Sequence, residues 1–134
     1  MTNTSPADVW TFDDFEPGAE LGRVSVALDD ARIASWRAIY GTPVAPDRVP
    51  AGMLVAAMME AYLKAFQPRP PGNIHAGQTL AFGASARPGD RLEAQVTCRD
   101  KLFRKERRWV TFGVTLRNGA QDVLSGEIRT IWAK

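Results

Sequence analysis

The sequence predicts an α+β domain in which an antiparallel β-sheet wraps around a long central helix. Three observations carry that expectation. Residues 52–66 read GMLVAAMMEAYLKAF, apolar nearly all the way round, and a helix apolar on every side has to be enclosed by protein. After the breaker QPRPPGN at 67–73, apolar and polar residues alternate to the end of the chain, which is the period of half-buried strands. Helices followed by a run of strands place the chain in the α+β class with an antiparallel sheet.

Each element has its own signals. Residues 1–9 are polar and aperiodic, the character of a loose tail. Trp10, Phe12 and Phe15 then supply apolar mass that folds back onto the domain, and Pro17-Gly18 ends any regular element. In LGRVSVAL at 21–28, Val24, Val26 and Leu28 share one face, which argues for a strand. Asp29 and Asp30 follow as N-cap residues, because a carboxylate accepts from the free amides of a first helical turn. Ile33, Trp36, Ile39 and Tyr40 recur at helical spacing, so 30–40 reads as an amphipathic helix that Gly41 stops. Residues 42–50 hold three prolines and read as irregular loop. The helix over 52–66 is interrupted only by Glu60 and Lys64, four apart and able to pair. Strands are expected at 78–86, 91–99, 108–117 and 122–133, with turns at Arg87-Pro88-Gly89-Asp90 and Asn118-Gly119.

Composition narrows the function classes. The chain has 134 residues, 45% hydrophobic and 24% charged, the make-up of one globular domain long enough to bury its own core. Seventeen Lys+Arg against fifteen Asp+Glu leave +2, too small an excess to argue for nucleic acid. A single cysteine, Cys98, excludes an intrachain disulfide framework and a Cys-based zinc cluster, and a single histidine, His75, excludes multi-histidine metal sites within one chain. No run reaches eighteen apolar residues, so no membrane span is expected. The opening MTNTSPADVW lacks the basic start and apolar stretch of a secretory leader. A reducing, cytoplasmic setting is the expectation.

Three short motifs carry a family resemblance. Phe15-Glu16-Pro17-Gly18 precedes the first strand, Ala51-Gly52-Met53-Leu54 opens the central helix, and Ala86-Arg87-Pro88-Gly89-Asp90-Arg91-Leu92 joins two strands. In that order they resemble the F-x-x-G, H-G-M-L and V-x-P-G-D-x-L patterns of the MaoC-like hydratase/dehydratase family, over residues 12–133. The resemblance implies a hot-dog fold, the sheet as bun and the helix as filling. It places a tail at 1–11 and a single domain at 12–134. Such a domain is expected to form at least a homodimer, since joining two sheets covers a strand edge.

The same resemblance implies acyl-CoA as ligand and hydration or dehydration of an enoyl-CoA as chemistry, with coenzyme A part of the substrate and no further cofactor. That family draws a carboxylate and an imidazole from D-x-N-P-x-H. Here the corresponding stretch reads Tyr40-Gly41-Thr42-Pro43-Val44-Ala45-Pro46-Asp47, and Ala51 stands where a second histidine is often found. The usual Asp/His dyad is absent. Three readings stay open: a divergent hydratase using Glu60 or His75, an acyl-CoA thioesterase with Glu60 as base or nucleophile, and a non-catalytic acyl-CoA-binding subunit that works beside a dyad-bearing hot-dog chain.

The individual candidates each have a plainer alternative. Glu60 lies eight residues after Gly52, a spacing that resembles hot-dog thioesterases; burial would raise its pKa toward that of a general base, or it pairs with Lys64. The acyl-carrier-protein dehydratase pattern would put its Glu at Ala57 and fails here. The helix start at Gly52 could offer amides to a thioester oxygen. Met53, Met58 and Met59 suit an acyl tunnel or an ordinary core. His75 is a titratable loop residue before a strand, and Asp47 is a loop carboxylate or a turn residue. Arg99, Lys101, Arg104, Lys105, Arg107 and Arg108 put six bases in ten residues, with Arg104, Arg107 and Arg108 as a phosphate grip for coenzyme A, or a solvated hairpin end. Cys98, in an alternating strand, reads as a small buried hydrophobe.

Overall fold

The structure, a computed structural model, describes residues 8–134. A 3₁₀ turn at Phe12–Asp14 leads into β1 (Glu20–Ala27), α1 (Asp30–Tyr40), α2 (Ala51–Ala65), β2 (Ile74–Phe82), β3 (Arg91–Arg104), β4 (Arg107–Asn118) and β5 (Gln121–Trp132). The strands form one sheet in the order β1-β3-β4-β5-β2, and every neighbouring pair is antiparallel. The first seven residues of the tail expected over 1–11 lie outside the described residues. Trp10 is anchored: its amide donates to Pro68 O at 3.0 Å, and its carbonyl accepts from Trp132 Nε1 at 2.7 Å.

Local chemistry explains the helix limits. Asp29 Oδ1 accepts from the Arg32 amide at 2.9 Å and so caps α1, and Gly41 ends it at φ 78°, where a side chain would be strained. α2 starts after Pro50, whose carbonyl accepts from Met53 and Leu54.

α2 lies against β1, β3 and β4. It buries Met53, Leu54, Ala57, Met58, Ala61 and Tyr62, while Leu63 stays about half exposed. The chain therefore encloses one side of this apolar helix. Beneath its C-terminal half, Phe15, Tyr62, Phe66, Phe112 and Trp132 pack ring on ring at centroid distances of 5.0–6.1 Å. Aromatic pairs at such spacing add to what burial alone contributes.

Two strand boundaries differ from expectation. β2 covers 74–82, not 78–86. Its pairing begins where Ile74 meets Ile131 on β5, and its end is set at Gly83, where a Cβ would sit 2.3 Å from Asp122 O. Ala86 is buried as the alternation implied, but from a loop whose carbonyl accepts from Val49. β3 runs through the basic segment to Arg104, five residues past the expected end. It returns as β4 through Lys105 and Glu106, both in the left-handed region at φ 52° and 60°, the geometry of a two-residue turn whose twist matches the strands. Among the described residues no helix is long and apolar enough to cross a membrane.

Candidate functional site

The Trp36 side of α1 meets the start of α2, and between the two helices lies an open groove of about 480 Å³. Trp36, Ile39, Met53 and Ala56 give it apolar walls, with Asp29 and Arg32 at its rim. The Trp36 ring lies over Gly52, so close that a Cβ there would meet Cη2 at 2.9 Å. Gly52 thus lets the indole sit on the first turn of the helix. Of the expected binding residues, Gly52 and Met53 both meet at this groove.

Glu60 stands about two turns further along α2 than Gly52 and Met53. Arg32 Nη2 reaches both of its oxygens, at 2.9 and 3.0 Å, and Lys64 Nζ approaches to 3.5 Å. Arg32 is itself fixed through Nε to Ala27 O at 3.1 Å. The expectation that burial would raise the Glu60 pKa is reversed. The Arg32 hydrogen bond holds the carboxyl below its ordinary value, outweighing a desolvation effect of opposite sign. A carboxylate favoured in the folded chain adds stability above its unfolded pKa, and that contribution is lost as pH falls through the lower folded value. Urea midpoints should therefore drop more steeply below about pH 4.5 in the native chain than in Glu60→Gln. Equal slopes would show that the ion pair does not hold the carboxyl down.

His75 is the second residue of the edge strand β2, not a loop residue preceding it. It borders a separate cavity of about 360 Å³ together with Met59, Tyr62, Leu63, Arg69 and Trp132, and Glu60 is not part of that lining. Arg69 stacks between Tyr62 and Phe66, 4.1 and 3.9 Å from the ring centroids, and caps the end of α2 by donating to Phe66 O and Tyr62 O. Asp47 is exposed in the loop between the helices. Met58 is fully buried in the core and Met59 half-buried. Cys98 is buried, and desolvation pushes its thiol pKa up.

The basic run borders two cavities at the hairpin end. Arg104 and Arg107 border one with Leu102, Trp109 and Arg129, and Arg107 and Arg108 border a second with Ile131 and Trp132. β3 connects the two regions. Arg91 pairs with Ala27, beside the Arg32–Glu60 pair, and Arg104 ends the strand at the basic hairpin, a span of roughly 40 Å at ~3.3 Å per residue. Within the chain, Glu60 and the hairpin arginines Arg104, Arg107 and Arg108 do not converge. Sequence reasoning missed Arg32, Trp36, Arg69 and Arg129 as site residues. Arg32 carried a signal: it stands four before Trp36, on the same side of α1.

No family model matches the chain. An (R)-specific enoyl-CoA hydratase from Rhodospirillum rubrum is 36% identical over 86 residues, covering 64% of this chain and 58% of the relative. The chain thus aligns with somewhat more than half of that protein's length. Among solved structures, a MaoC-like dehydratase from Rhodospirillum rubrum superposes with a TM-score of 0.72 at 17% identity, covering 91% of this chain and 96% of the other. The R-hydratase PhaJ1 from Pseudomonas aeruginosa gives 0.66 at 24% identity, covering 92% and 85%. The ChsH1–ChsH2 complex from Mycobacterium tuberculosis gives 0.68 at 15%, covering 88% and 98%. With its five antiparallel strands and the helix packed against them, the chain has the hot-dog fold of the MaoC-like dehydratases and R-hydratases.

Proposed function

We propose that this chain binds acyl-CoA thioesters of the kind handled by enoyl-CoA hydratases, and that it does so as a binding subunit whose proton-transfer groups come from another hot-dog chain. The observation that supports this reading is the pairing of an apolar α1–α2 groove with a carboxylate already occupied. The open groove beside Met53 and Ala56 presents an apolar wall along which an acyl chain can lie. The sole carboxylate on α2, Glu60, is held ionised by Arg32 and Lys64, the opposite of what a general base near neutrality requires. The same ion pair argues against a thioesterase that uses Glu60. Ile74 and Phe82, both about half exposed on the edge strand β2, give a second chain an apolar margin to join.

Thermal unfolding with coenzyme A, crotonyl-CoA and octanoyl-CoA tests this. A ligand held at 100 times its Kd stabilises the native state by about 2.7 kcal/mol. The midpoint should rise further with acyl length, and Ala56→Trp, which fills the groove from an exposed position, should erase the length dependence. Equal shifts for all three ligands, or none, would overturn the acyl-binding reading. Loss of enoyl absorbance catalysed by the isolated chain would overturn the subunit reading and leave acyl binding standing.

A further inference from the structure

On the sheet face turned away from α2 lies a cationic cavity of about 470 Å³, lined by Asp100, Leu102, Arg104, Lys105, Arg107, Trp109, Thr111 and Arg129. Strand alternation and register assemble it. Leu102 is opposite Trp109, Trp109 opposite Ile131, and Thr111 opposite both Asp100 and Arg129. The alternate residues Val110, Phe112, Ile128 and Thr130 are buried on the helix side. The Arg129 guanidinium crosses β2 at Gly77, where a Cβ would come within 2.6 Å of Nη2. Among the described residues, none of Arg104, Lys105, Arg107 and Arg129 forms an ion pair.

Two features make this hairpin costly as mere scaffold. Arg104 and Arg107 stand directly opposite each other, and like charges so placed repel. Lys105 and Glu106 both adopt positive φ without being glycine. An anion seated between the arginines removes the first penalty. The half-buried indole of Trp109 offers a flat apolar surface next to that anion position, and Asp100 and Thr111 supply polar groups at the far wall. A planar, nitrogen-rich ring stacked on indole with a phosphate tail on guanidinium forks satisfies all of these groups together.

We infer that this cavity is a binding site for a phosphorylated purine nucleoside, with the base on Trp109 and the phosphates on Arg104, Arg107 and Arg129. The site lies on the opposite face of the sheet from the α1–α2 groove and does not depend on the acyl-thioester reading. The nucleotide has two possible sources, free adenine nucleotide and the 3′-phospho-ADP end of a coenzyme A molecule.

Tryptophan fluorescence, titrated with ADP, coenzyme A, adenosine and inorganic pyrophosphate, tests the inference. ADP should quench saturably, and Trp109→Leu should abolish the quench. Arg107→Ala and Arg129→Ala should each weaken ADP at least tenfold, and adenosine should bind at least tenfold less well than ADP. Coenzyme A binding tighter than ADP identifies the coenzyme as source, and equal binding identifies free nucleotide. Without ligand, Arg104→Thr should leave the thermal midpoint unchanged or raised, because it relieves the repulsion. A lowered midpoint would mark the arginines as structural and overturn the site. So would the absence of saturable quenching by ADP and coenzyme A, or pyrophosphate or single-stranded oligonucleotide competing as well as ADP.

Discussion

Phe112→Ala is expected to cost about 3–5 kcal/mol of folding stability, a large share of the roughly 5–15 kcal/mol that domains possess. Phe112 is fully buried. Its ring centroid lies 5.2 Å from Phe15 and Tyr62, 5.3 Å from Phe66 and 5.7 Å from Trp132. Truncation removes partners from four rings contributed by the N-terminal segment, α2 and its C-cap, and β5. Neighbours this rigid and close-packed cannot collapse into the space left behind. The urea midpoint should fall with the m-value unchanged, and Phe112→Leu should lose much less. A cost under about 1 kcal/mol for the alanine variant would show that the rings pack loosely.

Gly22→Ala should cost about 2–3 kcal/mol, near the upper part of the usual overpacking range. β1 passes so close under the end of α2 that a Cβ at Gly22 would stand 2.4 Å from Ala65 O. That obstacle is main chain and has no rotamer to escape into. Relief requires the helix or the strand to move. Gly126→Ala provides the contrast: its nearest obstacle is Met58 Sδ at 2.7 Å, the end of a flexible side chain. Gly22→Ala should therefore be the more damaging of the two in urea unfolding, and the reverse order would mean that β1 and α2 are not in close contact.

The parts of the fold that could be read from the sequence were those fixed by neighbours in the chain. Asp29 caps the helix it precedes and Gly41 ends it. Asp90 accepts from the Arg87 amide within its own turn, and Gly119 stands at φ 61° after Asn118. What escaped depended on distant partners. Glu60 showed Lys64 four residues away, but its stronger partner, Arg32, is 28 residues off. The start of β2 is set by β5 nearly sixty residues later, where Ile74 meets Ile131. The basic run looked like one charged patch because composition does not reveal that β3 continues through it and sends alternate side chains to opposite faces. Arg129, isolated in sequence, reaches Arg104 and Arg107 only through register.

Cys98 gives the molecule a built-in clock. It is the chain's single thiol, wholly inaccessible in the middle of β3, where its backbone pairs with Ala19 and with Phe112. An alkylating reagent can reach it only when the structure covering that face of β3 opens. The rate of labelling then counts how often the domain breathes, with one reactive atom as the reporter and no added probe.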